Sequence, residues 1–133
     1  MNEQALPDAS PARPTVRSAW LAGWLAAGTL VSVAPLLVWQ VSPGLFPAGA
    51  HDGLAATPLV LVALAFIVHQ VARGAPPLEL VKASVLALGF LLWAANQFWP
   101  DAPHATLYND LAIAAFVLDA VLMIVGWPPA TRP

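Results

Sequence analysis

From Ala19 onward the chain alternates long apolar runs with short polar, proline-rich breaks, and it does so four times. The first run covers about 19–41, the second 53–72, the third 78–98 and the fourth 107–127. Twenty apolar residues at ~1.5 Å per residue cross the ~30 Å hydrocarbon core of a bilayer. No run shows a polar stripe of the kind that would face water. The pattern predicts an all-α fold: an integral membrane four-helix bundle with antiparallel hairpins.

The breaks carry helix-ending chemistry. Pro43, Gly44, Pro47 and Gly49 follow the first run, and Arg73-Gly74 with Pro76-Pro77 follow the second. Pro100 and Pro103 close the third, and Pro128-Pro129 the fourth. Proline lacks the amide that would continue a helix. Pro35 falls inside the first run, where a kink is expected. Residues 1–18 have no repeating apolar pattern and read as a disordered tail, with 128–133 as a second tail.

Composition sharpens this reading. Of 133 residues, 59% are hydrophobic and 9% charged, far below the quarter that covers a water-facing surface. There are no cysteines, which excludes disulfides, thiolate metal sites and thiol nucleophiles. Five basic residues are too few for a nucleic-acid patch, so no nucleic-acid partner is expected.

Those five basic residues set an orientation. Arg13 and Arg17 precede the first span, Arg73 and Lys82 lie between the second and third, and Arg132 follows the fourth. All fall on one side of a four-span topology, which the positive-inside rule makes cytoplasmic, with both termini. Trp20 and Trp127 then lie at the inner interface, and Trp39, Trp99 and Tyr108 at the outer one. The expected location is a plasma or inner membrane. Ala48-Gly49-Ala50 has the form of a signal-peptidase site, but the apolar stretch before it is too long for a signal sequence, which favours an uncleaved anchor.

Both outer loops read aromatic-Pro-x-x-x-His, as Phe46-Pro47 to His51 and Trp99-Pro100 to His104, each preceded by a tryptophan, Trp39 and Trp93. Helix ends at a membrane surface suffice to explain this, with a parallel duplication as the alternative.

Asp119 is the residue on which chemistry would turn. It lies mid-span in the fourth run, where a carboxylate costs ~2.5–3.5 kcal/mol unless it pairs, is protonated or faces the interior. Lys82 and His69 sit deeper toward the cytoplasm, and the lysine stem is long enough to reach up to it. One reading makes Asp119 a proton or cation site. The other makes it half of an ion pair that fixes helix register. Asp110, nine residues away, falls on the opposite helix face and cannot share a pore wall with it. Asn96, Gln97, Asn109 and Asp110 form a polar outer rim.

Three weaker patterns complete the set. His51, Asp52, Asp101 and His104 are a candidate zinc or copper set in the outer loops. Haem has little support, because His69 is the one histidine within a span. Glu79 and Lys82 are spaced as a surface pair. Ala19, Gly23 and Ala27 on the first helix, and Ala83 and Ala87 on the third, are spaced for close helix contact.

No nucleophile triad, phosphate loop or paired-acid motif is present, and no catalytic residues or resident cofactor are expected. The leading expectation is a structural or accessory membrane protein, acting through helix contacts in a homo-oligomer or larger membrane complex. The alternatives are a proton- or cation-coupled carrier or channel built on Asp119, and outward metal binding by His51 and His104.

Overall fold

The computed structural model describes residues 16–127. It is all-helical: α1 (Val16–Val41), α2 (Ala50–Ala72), α3 (Pro77–Phe98) and α4 (Ala105–Ile124), with a 3-10 turn at Pro43–Leu45. All four helices are long and apolar enough to cross a membrane, with mean hydropathy between 1.8 and 2.1. The expected tails fall outside the described residues, except that Val16–Ser18 already belong to α1. Both Pro35 and Pro58 are accommodated inside continuous helices.

The helix ends follow from local chemistry. At the end of α2, Gly74 adopts φ 65°, the Gly74 amide donates to the Val71 carbonyl and the Ala75 amide to the Gln70 carbonyl. That is the Schellman arrangement, and it needs the left-handed backbone glycine accepts readily. The end of α4 repeats it: Gly126 has φ 68°, with Gly126 donating to Met123 and Trp127 to Leu122. This stops α4 at Ile124, three residues short of the span expected from hydropathy alone. Both ends read Gly-x-Pro-Pro, at Gly74–Pro77 and Gly126–Pro129, a second correspondence between the two halves. The tryptophans do not correspond. Trp39 packs edge-on against His51, whereas Trp93 packs against Phe116.

The helices form an open row. α1 packs on α2, α2 on α3 and α3 on α4, and no Cα of α1 comes within 8 Å of a Cα in α3 or α4. The same holds between α2 and α4. The four helices expected from the sequence are present, and within one chain α4 does not close against α1. Short turns dictate neighbours along the sequence, but nothing in the sequence brings α4 round to α1.

Packing depends on small side chains. Every buried hydrophobic residue among those described is an alanine, with Ala63 and Ala112 at 1% exposure and Ala83 at 2%. In lipid the helices gain nothing by hiding large apolar groups, so close backbone approach supplies the cohesion. The less exposed face of α1 runs through Ala22, Leu25, Thr29, Ser32, Leu36 and Trp39. That of α4 runs through Ala105, Tyr108, Ala112, Ala115, Asp119 and Leu122. Both alternate steps of three and four, the spacing of left-handed helix pairs. Thr29 and Ser32 satisfy their hydroxyls on their own helix, donating to the Leu25 and Thr29 carbonyls at 2.9 and 2.7 Å. Of the α1 small-residue stripe, the Ala19 side chain lies outside the described residues and the other two do not pack on α2. Gly23 and Ala27 are exposed and lie off the packing face. On α3, Ala83 and Ala87 are buried.

Candidate functional site

Arg73, Glu79, Lys82 and Asp119 lie toward the end of the row that carries the α2–α3 turn. The Schellman turn reverses the chain so that Arg73, at the α2 C-cap, faces the first turn of α3. There the Arg73 guanidinium donates from Nε to Gln70 Oε1 and from an Nη to Glu79 Oε2. Gln70 is the one buried polar residue among those described, and this bond satisfies its oxygen. Glu79 thus pairs across the turn with Arg73, rather than with Lys82 as sequence spacing suggested.

Lys82, one turn further along α3, is free to reach α4. Its Nζ lies 3.6 Å from Asp119 Oδ1, with side-chain exposures of 21% and 22%. At that separation the two are an ion pair without a direct hydrogen bond. Asp119 occupies the α4 face that packs on α3, so the helix contact itself carries the carboxylate to the lysine. Val81, Val85, Leu118, Leu122 and Trp127 surround the pair along a groove of about 170 Å³. Apolar walls lower the local dielectric, which strengthens the attraction and makes either charge costly alone.

Two turns along, α3 and α4 are in close contact at Gly89. A Cβ placed there would stand 2.9 Å from the Ala115 Cβ and 3.1 Å from Phe116 Cε1. Phe116 in turn packs between Phe90 and Trp93, with ring centroids 4.9 and 5.9 Å away. Gly89 is absent from the small-residue stripes read in the sequence. Its signal was a lone glycine midway along an apolar run, whose packing role shows only once α4 is beside it.

The other candidates separate in space. His69 is exposed on α2 and lines a groove shared with α1, and α2 does not approach α4, so His69 is no partner for Asp119. Asp110 is exposed, while Asn96, Gln97 and Asn109 are half-buried at the opposite end of the row from Lys82. His51 lies in the first turn of α2, with Nδ1 3.6 Å from Asp52 Oδ1. His104 is the N-cap of α4, and Asp101 is exposed in the turn before it. Among the described residues no three His, Cys, Asp or Glu side chains gather as a metal site. Trp39 lies near the C-terminal end of α1. Its indole Nε1 is buried without a hydrogen-bond partner, beside the His51 ring at 5.5 Å.

No described protein family, curated protein or solved structure matches this chain. The functional argument therefore rests on the arrangement of its own residues. That arrangement compensates Asp119, which lies in the C-terminal half of α4, inside a single chain and leaves the two outer helices of the row with one neighbour each.

Proposed function

We propose that the chain is a small structural or accessory protein of the plasma or inner membrane, working through helix contacts in a homo-oligomer or larger membrane complex. The observation that carries this reading is the open row. α1 and α4 each have one packed face and one free face, and the free faces expose large apolar side chains such as Trp24, Leu30, Val117 and Ile124. Helices in lipid associate by packing and polar contacts, so an unclosed row offers two edges to neighbouring helices. In this topology both termini and the α2–α3 turn are cytoplasmic, as the placement of the five basic residues supports.

The Lys82–Asp119 pair favours this over a carrier or channel. A carboxylate serving as a cation site must exchange its partner during the cycle, and here a lysine already neutralises it. The carrier reading retains one supporting feature, the groove along which the pair lies.

Purification of the full chain in mild detergent tests the proposal. Light scattering should give a mass above one chain, or a partner protein should co-elute. A monodisperse monomer that co-elutes with nothing and conducts protons, sodium or potassium in proteoliposomes would replace this reading with transport.

A further inference from the structure

Between α1 and α2, on the half of the row nearest the α2–α3 turn, lies a groove of about 730 Å³ that opens sideways. Its floor is apolar and small, with Ala22, Gly23 and Ala26 from α1 facing Val62 and Ala65 from α2. A Cβ added at Gly23 would meet nothing within 4 Å, so the groove is open at that position. At the turn, His69 and Arg73 line the groove, and among the described residues no acid does.

We propose that this groove holds one acyl chain of an anionic phospholipid, with the headgroup phosphate at Arg73 and His69. Two features select that occupant. On α2 the groove runs from Val62 to Arg73, eleven residues, or about 16 Å of helix. That is about half of the ~30 Å hydrocarbon thickness, the depth of one leaflet. Arg73 and His69 stand at the end where a headgroup would lie, and basic pockets between spanning helices are suited to anionic headgroups.

Glu79 takes one Arg73 N–H and Gln70 another, from the five a guanidinium carries, and the rest remain for phosphate oxygens. Glu79 sits on α3 and does not line the groove. Lys82 and Asp119 are occupied with each other on the far side of α3. The inference needs the chain to be membrane-embedded and does not depend on what the free edges of α1 and α4 contact.

Native mass spectrometry of the full chain in detergent tests it, by titration with phosphatidylglycerol and with phosphatidylcholine of identical chains. The wild type should take one phosphatidylglycerol about tenfold more tightly than phosphatidylcholine. Arg73→Gln should erase the preference, while Glu79→Gln, which breaks the same ion pair, should strengthen phosphatidylglycerol binding. Opposite signs separate headgroup recognition from simple loss of the turn. Ala26→Trp fills the groove away from the charges and should weaken both lipids. Equal affinity for the two lipids would overturn the proposal, as would Arg73→Gln and Glu79→Gln moving binding in the same direction. Ala26→Trp that breaks an oligomer while lipid binding persists would assign the groove to a second copy of the chain.

Discussion

Lys82 on α3 and Asp119 on α4 face each other at 3.6 Å in a groove walled by valine, leucine and tryptophan, and each compensates the other's charge. Removing one partner of such a pair costs more than removing both, because the survivor stays desolvated. Asp119→Leu should destabilise the chain by about 1–3 kcal/mol, the usual penalty for an orphaned polar group. Asp119→Leu with Lys82→Met should recover most of that loss. Reversible unfolding in mixed micelles reads both, and a double variant no more stable than the single would remove the pairing from the account.

Asp119→Asn gives a separate reading. The amide keeps a hydrogen-bond acceptor for Lys82 but cannot ionise. Assembly in detergent should be near wild type. In proteoliposomes neither protein should pass protons or sodium. Flux by the wild type that the asparagine variant abolishes would instead make Asp119 an ion site.

Gly89 sets the spacing of α3 and α4. Gly89→Ala puts a methyl 2.9 Å from the Ala115 Cβ and should cost about 1–3 kcal/mol, the range for overpacking. Because the obstructing atom is itself a single methyl, Ala115→Gly should relieve much of that cost in the double variant. An unaltered unfolding midpoint for Gly89→Ala alone would mean that the helices meet differently in the membrane.

Gly74 holds the left-handed turn that brings Arg73 to Glu79. Gly74→Ala should cost ~1–2 kcal/mol from backbone strain. Gly53 carries no such constraint, so Gly53→Ala, where a Cβ meets nothing within 4 Å, is the control. Equal effects at the two positions would contradict the turn geometry.

For topology, reporter fusions after Gly74 and at Arg132 should read cytoplasmic, and fusions after Gly49 and Ala102 should read external. An external reading at Arg132 would reject the four-span orientation.

The sequence alone determined what depends on local chemistry and on distance along the chain. Runs of twenty apolar residues between prolines and glycines fixed four helices, because a span needs a set length and proline stops a helix. Helical periodicity put Asp110 and Asp119 on opposite faces, and the reach of a lysine stem put Lys82 within range of Asp119. Which way each helix faces was not legible. In water an apolar stripe marks the inner face of a helix, but these helices are apolar all round, so no stripe distinguishes neighbour from lipid. Only the tertiary structure gave Glu79 to Arg73 and left Lys82 for Asp119. It alone turned His69 toward α1, pressed α4 onto Gly89 and left the row open between α1 and α4. Each of those outcomes depends on the rotation and closeness of whole helices, which small side chains set in three dimensions and sequence spacing does not encode.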